Sequence, residues 1–189
     1  MSKLEILANV VNLISVILAA RNNIHTWWTG ILGCVLYFVM FFQVNLYADV
    51  TLQVFFIVTC LYGWYNWKLG KNKDELPITH TGFKNISLTI LSAILLTIGY
   101  GYILFKFTNA ACPFVDSLIL FLSIIGQIML MNRKLESWYF WIVVDLIAVP
   151  LYFYKDLKLT SLVYFLFLLN AVYGLISWKR ELKEDCRNV

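Results

Sequence analysis

The sequence predicts an all-α integral membrane protein, with seven transmembrane helices in a 3+1+3 arrangement of parallel repeats. Two observations carry this prediction. Of the 189 residues, 61% are hydrophobic and 14% charged, where a soluble domain has roughly a quarter charged, and the mean hydropathy is +0.75. The chain also repeats itself at a constant offset, the one that takes Trp27 to Trp138. Trp27, Leu46, Phe56, Tyr62, Gly63, Trp67 and Lys68 recur as Trp138, Leu157, Phe167, Tyr173, Gly174, Trp178 and Lys179. Nine of the 42 positions from Trp27 to Lys68 are identical under this single offset, without a gap. Parallel repeats of this kind build transporters, with the solute held between the halves near the bilayer midplane.

Uncharged stretches cover residues 6–20, 24–48 and 50–67. A span needs roughly 20 apolar residues to cross about 30 Å of hydrocarbon, and only helices or closed barrels satisfy the backbone there. Barrel strands alternate apolar and polar residues over about 10 positions; these runs are continuous and rich in Leu and Ile, so they are helices. The expected spans are 4–20, 27–43, 49–67, 84–106, 115–132, 138–154 and 160–178. The first follows Lys3, contains Asn9 and Asn12 and leads directly into Arg21-Asn22-Asn23, which reads as a retained span rather than a cleaved leader. Spans two and three complete the first repeat, 1–68. The stretch from Lys68 to Lys84, with Asp74, Glu75 and Pro77, is the one real linker. Span four has no counterpart. It supplies the extra crossing that a three-helix unit needs before a second unit can start in the same orientation, so 69–110 form the connection and 111–189 the second repeat.

Basic residues set the orientation. Lys3, Lys106, Lys155 and Lys158 fall on one side; Arg21, Lys68, Lys71, Lys73, Lys84, Arg133, Lys134, Lys179, Arg180, Lys183 and Arg187 fall on the other. The amino terminus is expected outside and the carboxyl terminus in the cytoplasm. The net charge of +4 lies at helix ends rather than along a face, which argues against nucleic-acid binding. Cys34, Cys60, Cys112 and Cys186 have no metal-ligand or paired spacing, and His25 and His80 sit in loops without partners at useful spacing. No cofactor or metal is expected.

Periodicity selects the candidate site. Trp138, Trp141, Asp145, Ala148 and Tyr152 share one face of span six. Asp49, Gln53, Phe56, Cys60 and Trp67 do so in span three, and Thr160, Tyr164, Phe167, Ala171, Gly174 and Trp178 in span seven. A lipid-facing stripe is Leu, Ile and Val; rings mixed with isolated polar groups suit a pocket. Taken singly, tryptophans at span ends are headgroup anchors. Asp145 lies deep in a span, where an ionisable group is costly and usually functional; it either partners a solute or hydrogen-bonds a neighbouring helix. Asp49, at a span start, reads as an N-terminal cap. Gln53 and Gln127 must find partners in hydrocarbon, Gln53 on the aromatic face, while Asn170, Asn9 and Asn12 suit interhelical hydrogen bonds equally well. Pro150 kinks span six, as a hinge or merely as shape. Gly30, Gly33, Gly63 and Gly174 permit close helix approach.

The segments Trp28-Thr29-Gly30, Leu36-Tyr37, Leu46-Tyr47-Ala48-Asp49-Val50-Thr51-Leu52-Gln53 and Tyr62-Gly63-Trp64-Tyr65-Asn66-Trp67 resemble the PnuC family of vitamin transporters. In the second half, Trp138-Tyr139-Phe140-Trp141-Ile142-Val143-Val144-Asp145, Leu151-Tyr152, Lys155-Asp156-Leu157, Thr160, Leu162, Tyr164, Gly174 and Trp178 resemble its second signature. The resemblance implies a bacterial inner-membrane carrier of nicotinamide riboside, with the 3+1+3 fold seen in SWEET sugar carriers, working by facilitated diffusion and associated with a homotrimer. Thiamine and riboflavin carriers of the family carry similar motifs. The expected solute-binding residues are Gln53, Trp67, Trp141, Asp145, Tyr152, Tyr164, Asn170 and Trp178. Rings of this kind attract a flat cation at about 0.5–2 kcal/mol each, which suits a pyridinium.

Rival classes fit less well. A retinal protein needs a lysine inside a span, and span seven has none between Thr160 and Trp178. SWEET sugar carriers resemble a pattern with several hinge prolines, where only Pro150 lies in a span here. An intramembrane enzyme needs a nucleophile–base pair or metal cluster at depth, so no enzyme is expected, and a scaffold has no need of polar groups on aromatic faces. Asp145 has no acidic or His partner for a proton relay, which points to uniport.

Overall fold

The computed structural model describes residues 3–43, 47–69, 76–107, 112–154 and 158–185, without the side chains of residues 3, 5, 41, 47–51, 69, 159 and 185. Leu46, Lys71, Lys73, Asp74, Glu75, Lys155, Asp156, Leu157, Cys186 and Arg187 therefore lie outside the described residues. So do the side chains of Lys3 and Asp49, and with the latter the capping role expected of it. Seven helices follow in order: α1 (Lys3–Ala20), α2 (Thr26–Gln43), α3 (Tyr47–Leu69), α4 (Phe83–Phe107), α5 (Pro113–Met131), α6 (Ser137–Tyr154) and α7 (Lys158–Asp185). By length and composition α4, α5, α6 and the 160–184 part of α7 can each cross a membrane, and α1 and α2 carry shorter apolar stretches.

Every expected boundary lies within two residues of its helix except one. α7 runs on from Trp178 to Asp185, because Lys179, Arg180, Glu181, Leu182, Lys183 and Glu184 are good helix formers; hydropathy registers where a span ends, not where its helix does. This extension is used: Asn22 Nδ2 donates to Glu181 Oε1. α6 passes through Pro150 without a break.

α1 packs on α2 and α2 on α3; α5 packs on α6 and α6 on α7. The first and last three helices meet through α1 with α7 and α3 with α5. α4 lies against α5, burying only Ala93, Thr97 and Gly101, one residue per turn, and turning its Leu and Ile residues outward.

The repeat offset reappears in backbone geometry. α1 ends with Asn22 at φ 53° and α5 with Arg133 at φ 48°. Asn22 N–H donates to Ala19 O at 3.0 Å and Asn23 N–H to Leu18 O at 2.9 Å; Arg133 N–H donates to Leu130 O and Lys134 N–H to Met129 O, both at 3.0 Å. Both are Schellman caps, whose left-handed residue is most often glycine and sometimes asparagine. Asn22 suits that place, whereas an arginine there carries a conformational cost.

The tryptophans expected as headgroup anchors divide. Trp28 is exposed, as an interfacial belt requires, whereas Trp27 is buried, as are Trp67, Trp138 and Trp178, which the periodicity puts on inward faces. The repeated glycines explain this. A Cβ on Gly63 would lie 2.5 Å from the Trp27 ring, and one on Gly174 would lie 2.8 Å from the Trp138 ring. Gly63 and Gly174 thus admit an indole rather than a neighbouring backbone. Gly63→Ala and Gly174→Ala should each lower stability by about 1–3 kcal/mol, the usual cost of overpacking, seen as a lower thermal midpoint in detergent. Gly99→Ala on α4, with nothing within 4 Å, should leave the midpoint unchanged or raise it.

Candidate functional site

The expected site residues fall at two levels along the helices. Tyr164 and Trp178 lie about four turns apart on α7, as Gln53 and Trp67 do on α3, a separation of about 21 Å at roughly 1.5 Å per residue. A single small solute does not touch both members of either pair.

At the turn end of the bundle, four indoles form one layer. Trp27 meets Trp67 edge to face at 5.1 Å and 88°, and Trp138 meets Trp178 edge to face at 5.4 Å and 87°. Trp67 and Trp178 join the two pairs, with centroids 5.8 Å apart. Each of these central rings donates its N–H across to the other half. Trp67 Nε1 donates to Leu130 O at 3.3 Å, and Trp178 Nε1 donates to Ala19 O at 3.2 Å. Leu130 is the counterpart of Ala19 under the repeat offset, so the exchange is reciprocal. Asn66 extends the seam, its Nδ2 donating to Met131 O at 3.1 Å and to Asn132 Oδ1 at 3.2 Å. Trp178 is 0% exposed, and the layer leaves no room for a solute between its rings.

A turn or two deeper, a second reciprocal pair of contacts joins the halves. Asn170 Nδ2 donates to Val16 O at 2.8 Å. Thr59 and Gln127, the offset counterparts of Asn170 and Val16, are joined by the long contact of Gln127 Nε2 to Thr59 Oγ1 at 3.5 Å. Gln127 also lies 3.8 Å from Cys60 Sγ, and Cys34 is the neighbouring thiol. Asn170 therefore spends its amide on a helix backbone, the interhelical alternative left open for it.

Asp145 lies at the depth of Cys34, its offset counterpart, and Tyr152 and Tyr164 lie about two turns deeper. The Tyr152 and Tyr164 rings stack, with centroids 5.0 Å apart and planes 23° apart. Tyr152, Asp145 and Tyr37 are the ionisable neighbours of Tyr164. Tyr37 is held in turn by donating its hydroxyl to Asn9 Oδ1 at 2.7 Å. Asp145 is 3% exposed, and among the described residues no donor reaches its carboxyl. Trp141 lies against Gly126, where a Cβ would be 3.2 Å from its ring. Gln53 is buried on α3, at the position whose counterpart in the second half is Tyr164.

Tyr37, Asn9, Cys34 and Cys60 were not among the residues expected to bind solute. Their signal is the offset: Cys34 stands where the second half has Asp145, and Tyr37 where it has the buried Ala148. These two levels together can provide one carboxyl, a stacked pair of phenols and several hydrogen-bonding groups in apolar surroundings, an arrangement able to hold a flat, polar or cationic molecule.

The profile of the family described as nicotinamide mononucleotide transporter matches residues 2–180. The chain is 26% identical to the nicotinamide riboside transporter PnuC of Escherichia coli (strain K12), over 97% of this chain and 88% of that one. It is 23% identical to the riboflavin/roseoflavin transporter RibM of Streptomyces davaonensis, over 98% and 88% respectively. Its fold is similar to that in the crystal structure of the vitamin B3 transporter PnuC, with a TM-score of 0.73 and 23% identity over 94% of this chain and 80% of that one.

The indole layer gives a testable cost. Trp178→Phe keeps a ring against Trp138 but deletes the N–H that reaches Ala19 O, so it should cost about 0.5–1.5 kcal/mol. Trp178→Ala also empties a large buried volume and should cost about 3–5 kcal/mol. Denaturation in detergent followed by circular dichroism separates the two.

Proposed function

The chain belongs to the nicotinamide mononucleotide transporter family, and from this we propose that it carries nicotinamide riboside across the bacterial inner membrane by facilitated diffusion. The observation that carries the reading is Asp145: a buried carboxyl with no donor among the described residues, two turns along α6 from the Tyr152 of the Tyr152–Tyr164 stack. A lone carboxylate in a low-dielectric setting is stabilised by a cation. Nicotinamide riboside brings a pyridinium for Asp145 and the tyrosine faces, and a carboxamide and ribose hydroxyls for Gln53 and Tyr37. Trp141, one turn from Trp138 on α6, lies between the tryptophan layer and Asp145. Riboflavin, carried by the relative RibM, is neutral and gives Asp145 no counter-charge.

In this reading α1–α3 and α5–α7 are parallel repeats of a 3+1+3, SWEET-like fold, with α4 as the connecting crossing. The two Schellman caps and the reciprocal tryptophan bonds support it. The indole layer is then the closed gate at the end bearing Arg21, Lys68, Arg133, Lys134 and Lys179. The excess of basic residues there supports a cytoplasmic assignment, so both the closed gate and the carboxyl terminus lie inside. Rocking the repeats apart breaks the two Trp-to-carbonyl bonds together, because each half donates one and accepts one. The homotrimer implied by the family resemblance belongs to the same proposal, with the outward face of α4 as available surface; native mass spectrometry tests it.

Calorimetry with nicotinamide riboside, thiamine and riboflavin tests the substrate. Nicotinamide riboside should bind most tightly, and Asp145→Asn should weaken it by about 1–3 kcal/mol, the range for a charge-assisted contact. Riboflavin binding in the absence of nicotinamide riboside binding would move the protein to the other branch. A reporter active only in the periplasm, fused after Val189, should stay silent; activity would invert the topology.

A further inference from the structure

Residues 76–81, which follow α3 in the chain, lie against the turn between α5 and α6. Thr79 forms an isolated β-bridge with Lys134: Thr79 N–H donates to Arg133 O and Leu135 N–H donates to Thr79 O, both at 3.1 Å. Lys134 Nζ donates to Thr79 Oγ1 at 2.9 Å. Glu136 accepts Thr81 N–H at 2.9 Å and pairs with His80 Nδ1 at 2.9 Å. Ile78 is buried in the same apolar cluster as Trp27, Trp67, Trp138 and Trp178. The segment thus hangs from the first repeat and is fastened to the second, across the seam the indole layer closes.

Arg133 connects this segment to the layer. Its guanidinium lies over the Trp67 ring, 4.5 Å from the centroid, and its Nη1 donates to Leu76 O. The same residue holds a left-handed backbone conformation, φ 48°, where glycine or asparagine is cheaper. The first repeat has Asn22 at this place and no such segment over its turn among the described residues. A strained position occupied by a long cationic side chain points to use of that side chain.

We propose that residues 76–81 are a strap that holds the tryptophan gate closed, and that Arg133 is the positioning residue through which the strap acts on Trp67. The inference rests on the reading of the indole layer as a gate. Loss of the Glu136 charge does not release the strap near neutral pH. Burial works to raise the Glu136 carboxyl, but hydrogen bonds from His80 and Thr81 outweigh it and hold the group below its ordinary value. A depressed carboxyl contributes stability above the unfolded value of about 4.3, lost only as pH falls through the lower folded value. Arg133 and Lys134, on the same turn, are both basic. Release therefore has to come from the motion of the repeats themselves.

The test uses the full chain in liposomes, in a background that lacks Cys112 and Cys186 but keeps the buried Cys34 and Cys60, reading exchange of labelled nicotinamide riboside. A disulfide between Thr79→Cys and Lys134→Cys makes the strap permanent. It should slow exchange by about tenfold or more, the effect of a barrier raised by about 1.4 kcal/mol, leave the half-saturating concentration unchanged, and reverse on reduction. Arg133→Asn keeps the turn, as Asn22 does in the first repeat, and removes the pin. Its maximal exchange should rise and its tryptophan fluorescence should become more accessible to iodide. Arg133→Lys, which retains a cation over the ring, should lie close to the parent in both. Unchanged exchange in the disulfide form, or unchanged quenching and exchange in Arg133→Asn, overturns the strap. A disulfide between Asn66→Cys and Asn132→Cys tests the gate by itself. Full exchange with that bond formed defeats the gate reading, whereas a block there with free exchange in the strap disulfide defeats the strap alone.

Discussion

Two indole N–H groups determine how the halves of this molecule meet. Trp67 and Trp178 are buried among apolar groups, where an unpaired donor costs about 1–3 kcal/mol, and each finds its acceptor in the opposite half. Those acceptors are already in use. Ala19 O receives Asn22 N–H and Leu130 O receives Arg133 N–H within the two caps, so each carbonyl employs both lone pairs. The left-handed residue that ends α1 or α5, the carbonyl behind it and the ring from the other half form one connected unit. That unit occurs twice, once in each half, under the repeat offset. Gly63 and Gly174 complete it by making room for the edge-to-face rings of Trp27 and Trp138.

Near the turns the two halves carry the same rings, and deeper in the bundle several inward positions differ. The identical positions Trp27, Gly63, Trp67 and Lys68 with their counterparts build the closed end, where both halves have to match to seal. Deeper in the bundle the offset pairs unlike residues: Cys34 with Asp145, Tyr37 with Ala148, Gln53 with Tyr164, Thr59 with Asn170. A solute with a charged ring at one end and hydroxyls at the other is itself unsymmetrical. Walls that differ between halves suit it, while a seal between the same halves is served by likeness.

The helices and the faces they turn inward were legible in the sequence because hydropathy and periodicity encode them directly. Depth was not. A helical stripe places Gln53 with Trp67, and Tyr164 with Trp178, on common faces, yet says nothing of the helical turns that separate each pair into distinct layers. The buried state of Trp27 was hidden because a ring at a span start reads as an anchor unless a glycine opposite makes a slot for it. Arg133 counted only as one charge among eleven. Its backbone conformation, and the bridge between Thr79 and Lys134 that it sits beside, join segments far apart in the chain and leave no local pattern. The extension of α7 to Asp185 escaped for the converse reason, since its residues favour helix without being apolar.

The central claim is that solute binds at the levels of Asp145 and the stacked tyrosines while the tryptophan layer stays shut beneath it. A structure of the protein with nicotinamide riboside bound measures this directly. The pyridinium should lie against Tyr152 and Tyr164 with its charge facing Asp145, and the Trp67 and Trp178 bonds to Leu130 and Ala19 should be intact. A ring stacked on Trp67 or Trp178, with those bonds broken to admit it, would contradict the claim.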